Sequence, residues 1–149
     1  AGTDIHALRA ADKSVNSERA AKDFATGGSP LNDADSRSDC PTCLETSSSF
    51  EPPDIAKGAV ARMVFYMAVR YNGDSDSNGL TLSVVNGVGT PLGSSTNNNG
   101  QLGDLATLKA WHNQYPPSDE ELHRNNLIYD IQGNRNPFID NPQWVNTIF

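Results

Sequence analysis

The feature that most constrains this chain is one long apolar run, from Asp54 to Tyr71, in a sequence otherwise rich in polar loops. Within it Ile55, Ala59, Val60, Met63, Val64, Met67 and Ala68 recur at three- and four-residue intervals, and Phe65, Tyr66 and Val69 widen the stripe. That is the period of a helix, with Asp54, after Glu51-Pro52-Pro53, as candidate N-cap. Apolar residues make up 36% of the 149, so a single core is predicted, built around this central helix. Met63, Phe65, Tyr66, Trp111, Leu127 and Trp144 are its expected members.

The other elements are read around that helix. Thr3 to Leu8 alternates like a short strand, and Ala10 to Phe24 reads as a helix. Residues 25–50 and 72–100 are rich in Gly, Ser, Asp and Asn and read as long loops, with a β run from Leu80 to Val85. Two helices follow, Leu102 to Asn113 with Leu102, Leu105, Leu108 and Trp111 on one face, and Asp119 to Ile131 with Leu122, Leu127, Ile128 and Ile131. Ser118 caps the second, with Glu121 at the capping-box position. A turn at Gln132-Gly133 leads to a last short helix in the tail Asn141 to Phe149.

Chemistry-bearing side chains concentrate near the N-terminus: Asp4, His6, Arg9, Asp12, Asn16 and Arg19. On a helix, Asp12, Asn16 and Arg19 share one face at i, i+4 and i+7. Oxygen donors beside a guanidinium suit a hydrated divalent ion next to a phosphate, although from spacing alone a solvated face with an Asp/Arg pair is the favoured reading. Asp74-Ser75-Asp76-Ser77-Asn78-Gly79 matches the first half of a calcium loop, but Val85 stands where the closing Glu belongs, so a plain turn is favoured over a weak calcium site. His112 and His123 have no partner at ligand spacing and read as surface histidines. The stretch Gln132 to Asp140 is read first as a structural turn and second as a phosphate contact.

Net charge is -7, which opposes holding nucleic acid by bulk attraction and demands a local basic track instead. Cys40-Pro41-Thr42-Cys43 is the sole cysteine pair. A structural disulfide in a secreted loop is the expected state, with free thiols and redox or metal chemistry as the alternatives. No apolar run reaches the roughly 20 residues of a membrane span, and the N-terminus has no signal-peptide pattern.

Three separated blocks resemble the bacterial endonuclease I family, which includes extracellular ribonucleases. They are Thr3 to Arg9 with Val15-Asn16-Ser17-Glu18-Arg19; Phe50 to Asp54 through Lys57 to Met67; and Arg124-Asn125 through Ile131 to Phe138. Order and spacing agree over nearly the whole chain. The resemblance implies an α+β, predominantly helical fold: one domain over 1–149, a C-terminal part of such a nuclease, with residues 1–24 as the remainder of a ββα-metal (His-Me) finger. It implies a general-base histidine on a Glu-His strand upstream of Ala1, and a helical Asn ligand to the metal, here Asn16. The metal is expected to be Mg2+, with Mn2+ or Ca2+ open. Arg9 and Arg19 are the expected nucleic-acid contacts, and His6 is the catalytic candidate within the chain. Ala7 and Ala10 stand where the family commonly has His and Pro.

The expected function is therefore metal-dependent, non-specific hydrolysis of DNA or RNA phosphodiesters by a secreted or periplasmic protein without membrane attachment. A noncatalytic binding module on the same scaffold, or a calcium-stabilised secreted domain, are the competing readings.

Overall fold

The computed structural model describes residues 3–31, 40–72, 82–89 and 100–149. Among these, six α-helices pack on a six-stranded sheet, a mixed architecture of the α+β kind expected. The calcium-like stretch Asp74 to Gly79 and residues 94–99 of the polar tract lie outside the described residues.

The central helix α2 spans Asp54–Arg70, one residue short of the apolar run. Pro53 is its N-cap and Asp54 its first residue, where a carboxylate favours the helix dipole. Ala61, Val64, Phe65 and Tyr66 are at most 3% exposed, whereas Ile55 is 93% exposed and Met63 half-buried. The helix is enclosed on several sides, so a single-stripe reading misplaces its ends. Arg62, a charged residue inside this apolar run, is 1% exposed.

The sheet runs β2-β3-β4-β1-β6-β5, where β1 is Asp23–Phe24, β2 Ser29–Pro30, β3 Leu44–Glu45, β4 Ser49–Glu51, β5 Ser83–Val85 and β6 Gln101–Asp104. The central strand β1 is parallel to both neighbours, pairing Phe24 with Phe50 and with Gly103. Strands β2 to β4 form an antiparallel meander inside the stretch read as loop; their two- and three-residue lengths leave no periodicity to detect. The Cys40–Cys43 disulfide is formed, as expected, with the Cα atoms 5.3 Å apart.

Three other readings are corrected. Thr3 to Leu8 is not a strand: Ile5–Ala7 is a 3-10 turn, because the Asp4 carboxylate accepts from the His6 amide at 2.9 Å and closes the chain locally. The helix predicted over Ala10 to Phe24 is the shorter α1, Lys13–Arg19, stopped at Ala20 with φ 48°. Asp23 and Phe24 then leave it for the sheet. Leu102 belongs to β6, and α3 (Leu105–Gln114) starts only after Asp104, whose side chain caps the Thr107 amide at 2.8 Å.

Helix α4 spans Asp119–Gln132, with Ser118 accepting from the Glu121 amide as expected. Its presumed apolar face is open: Leu122, Leu127 and Ile131 are 39%, 48% and 73% exposed. Of the expected face Ile128 is buried, and Asn125 is buried with it. Trp144, on α6 (Trp144–Ile148), is 45% exposed, so it and Leu127 fall outside the predicted core, while Phe65, Tyr66 and Trp111 lie within it. Phe138, on α5 (Pro137–Asp140), fills the place.

Polar side chains lock α2 to α3, α4 and α5. Arg62 Nη1 donates to Tyr115 O at 2.8 Å, and Nε and Nη2 engage both oxygens of Glu121. Gly58 permits this approach, since a Cβ there would lie 2.2 Å from Tyr115 O. Asn136 donates to Arg62 O at 3.0 Å and caps α5, and Asn125 holds the Asn136 backbone from α4. Arg135 forms a two-bond pair with Asp140, so the Gln132 to Asp140 stretch is the structural turn favoured above.

Removing one member of a buried pair strands the other charge. Arg62→Met is expected to lose about 3–5 kcal/mol, and Arg62→Met with Glu121→Leu to recover much of it. Urea unfolding checks both, and equal losses in the single and double variants would contradict the buried-pair account.

Candidate functional site

A cleft of ≈ 630 Å³ opens between the segment Ala7 to Arg19, the disulfide, the end of β4 and the first half of α2. Its floor is apolar, from Phe24, Phe50, Val60 and Met63. Its polar lining is Arg9, Asp12, Asn16 and Arg19, four of the six residues singled out from sequence. The helical spacing of the last three thus brings them to one surface, although Asp12 serves as N-cap rather than as a helical residue.

Each has a distinct state. The Asp12 carboxylate accepts from the Ser14 amide at 2.7 Å, from Ser14 Oγ at 2.6 Å and from the Val15 amide at 3.2 Å, which hold it below the ordinary carboxyl value. It is committed to starting the helix. Asn16, one turn on, is exposed and its side-chain amide has no hydrogen-bond partner among the described residues. Its oxygen is therefore free to accept or to ligate. Arg19 stacks on the Phe24 ring, 4.4 Å from the centroid, and its Nε is buried with no partner among the described residues. Burial holds it below the usual guanidinium value, against the attraction of Asp23.

His6 is placed differently. It is 2% exposed, does not line the cleft, and sits 4.7 Å from the Tyr66 ring centre with Nε2 3.2 Å from Asn134 O. That contact to a carbonyl assigns the proton to Nε2. Burial lowers its pKa, opposed by the Asn134 contact and the Asp4 charge. His6 is thus packed inside, away from the cleft.

Asp4 explains why. It is 5% exposed and accepts from the His6 amide and Gln132 Nε2, each at 2.9 Å, from Tyr66 Oη at 2.7 Å and from Tyr71 Oη at 2.9 Å. Asn134 Nδ2 donates to Tyr66 Oη at 2.6 Å, and Gln132 Oε1 accepts from the Ile5 amide at 2.9 Å. The 3-10 turn is thereby fixed to α2 and α4, which sets where Arg9 and the start of α1 emerge. Sequence reasoning missed Tyr66, Tyr71 and Gln132 as partners of Asp4, since tyrosines in an apolar run read as core.

His112, expected at the surface, is 4% exposed, with Nε2 2.9 Å from Pro142 O. Among the described residues no group of three or more His, Cys, Asp or Glu stands together to hold a metal ion. The side-chain oxygen donors that line the cleft are those of Asp12 and Asn16.

The family model of Endonuclease I matches residues 1–143. The chain belongs to the Endonuclease I family. It is 44% identical over 149 residues to the extracellular ribonuclease of Bacillus amyloliquefaciens and 43% identical to that of Bacillus subtilis (strain 168), covering 99% of this chain and 47% of each relative. It is 26% identical over 139 residues to Endonuclease-1 of Buchnera aphidicola subsp. Baizongia pistaciae, covering 92% of this chain and 46% of that protein. The chain spans about half the length of the curated relatives it matches.

The Asp4 network makes a pH prediction. Burial pushes its carboxyl up, but the bonds from Gln132, Tyr66, the His6 amide and Tyr71 outweigh burial and hold it below 3.8. A carboxyl depressed on folding contributes stability that is present above its unfolded value and lost as pH falls through the folded one. Acid melts of the wild type should therefore steepen below about pH 4. Asp4→Asn should be less stable at neutral pH and flatter across that range; a parallel pH profile would show that Asp4 does not carry the effect.

Proposed function

We propose that this Endonuclease I-family chain is part of a secreted, metal-dependent endonuclease that hydrolyses phosphodiester bonds in DNA or RNA. The observation that carries the reading is the exposed Asn16 side-chain amide, without a partner among the described residues, on the rim of a cleft that also presents Arg9 and Arg19. It is supported by the names of the relatives, two called extracellular ribonuclease and one Endonuclease-1. A disulfide suits an oxidising compartment, and no described helix is long and apolar enough to cross a membrane.

Asn16 fits as one oxygen ligand of a divalent ion, Mg2+ in the first instance, with the ββα finger as the arrangement the resemblance implies. Such an ion, when bound, neutralises charge on the scissile phosphate and on the leaving oxygen. The chain's own residues orient the substrate. In this reading Arg9 and Arg19, which line the cleft, hold phosphate oxygens, and the stack of Arg19 on Phe24 supports its part. Asp12 fixes the first turn of α1 and so the height of Asn16 on the rim. His6 is assigned a positioning role, holding the turn through Asn134, and the general base is assigned to none of the described residues.

Plasmid nicking and RNA cleavage with Mg2+ or Mn2+ test this on the chain and on the full product of its gene. Asn16→Ala is expected to lose roughly 10²–10³-fold in rate with unchanged melting. Cleavage that survives chelation, or an undiminished Asn16→Ala variant, would overturn the metal-ligand assignment.

A further inference from the structure

Beside the 3-10 turn the guanidiniums of Arg124 and Arg62 act on that of Arg9, and the carboxylate of Glu121 acts on it in the opposite sense. Arg62 already holds that carboxylate through Nε at 2.9 Å and through Nη2. Asp4, close by at His6, is occupied by its four donors. Arg9 and Arg124 are left to backbone oxygens. Arg9 Nη1 donates to His6 O at 3.3 Å and to Leu8 O at 3.0 Å; Arg124 Nη2 donates to Ile5 O and to Leu8 O, both at 2.9 Å. Two cations therefore share the Leu8 carbonyl oxygen.

Neither makes an ion pair among the described residues, and Arg124 Nε is buried without a partner there. Burial and then the charge of Arg124 hold Arg9 below its ordinary value. In a chain of net charge -7, these two like charges share one acceptor, and the carboxylate that acts on Arg9, Glu121, is already held by Arg62, so part of their repulsion stands. An anion bridging the two forks would relieve it, and guanidiniums match phosphate oxygens in geometry. Both side chains are partly exposed, and Arg9 also lines the cleft that carries Asn16.

We propose that Arg9 and Arg124 form a second anion site, which takes a phosphodiester of the substrate strand beyond the one at Asn16. The strand then passes from α1 across the turn at Leu8 to α4. The assignment of the anion to a nucleic-acid strand rests on the nuclease reading; the pairing of the two arginines does not.

The test is binding of a fluorescein-labelled single-stranded oligonucleotide in EDTA over a range of salt, with inorganic phosphate as a second probe followed by melting temperature. Arg9→Gln and Arg124→Gln should each weaken oligonucleotide binding about 5-fold or more and reduce the slope of log K against log salt by roughly 0.7. Arg124→Lys should keep the slope, and Lys109→Gln, on α3, should match the wild type. In phosphate-free buffer Arg9→Gln should melt no lower than the wild type, since it removes repulsion and can still donate to the carbonyls. A purely structural carbonyl clamp predicts the reverse: lower melting in both Gln variants and an unchanged slope, which would overturn the site. Stabilisation by inorganic phosphate without an arginine-dependent oligonucleotide slope would overturn the substrate-strand assignment, as would no oligonucleotide binding by the wild type. Unchanged slopes alongside Asn16-dependent cleavage would remove this site and leave the nuclease reading standing.

Discussion

One buried carboxylate, Asp4, accepts two tyrosine hydroxyls, one carboxamide and one backbone amide, and the N-terminal half of the site hangs from it. A buried charge is tolerated only when its lone pairs are filled, and filling them here draws together the end of α2, the end of α4 and the turn after α4. The turn Ile5–Ala7 has no sheet neighbour or helical length to stabilise it. Its place is set by this carboxylate and by the two arginines on its carbonyls. Arg9 and the cap of α1 follow directly in the chain, so the orientation of Asn16 is inherited from a hydrogen-bond cluster centred on Asp4, which does not line the cleft.

The acidic average conceals a local excess of positive charge. Glu45 and Glu51 are held by Lys22 and Lys57, Glu121 by Arg62 and Asp140 by Arg135. Asp12 and Asp104 are spent on helix caps. Around the turn and α1, Arg9, Arg19 and Arg124 make no ion pair among the described residues, and α1 also carries Lys13 and the Glu18 carboxylate. A phosphate approaching this face meets the local field rather than the chain's sum.

The central helix, the Ser118 cap, the disulfide and the Gly133 turn were legible in the sequence because each rests on local chemistry: a 3.6-residue period, a hydroxyl three residues before an amide, two thiols at close spacing, a residue at φ 79°. What was not legible depended on partners far along the chain. Ala20 ends α1 with neither Gly nor Pro to mark it. Leu102 and Leu105 fit a helix face by spacing, yet a strand takes the first. Leu127 and Ile131 look like core and stand exposed, while Arg62 looks like surface and is buried. At the site, Asp12, Asn16 and Arg19 were found by helical spacing and by resemblance. The role of Arg124 required the fold, because 115 residues separate it from Arg9 and only the docking of α4 on the turn brings them to one oxygen.

The account's central claim is that Asn16 supplies a ligand to a divalent ion, and paramagnetic broadening by Mn2+ reads this without reference to activity. Titrating Mn2+ into isotope-labelled protein should broaden the Asn16 side-chain amide first, then resonances of Asp12 and Arg19 on the same rim, with the effect lost in Asn16→Ala. Broadening centred elsewhere, or persisting at the same sites in Asn16→Ala, would contradict it.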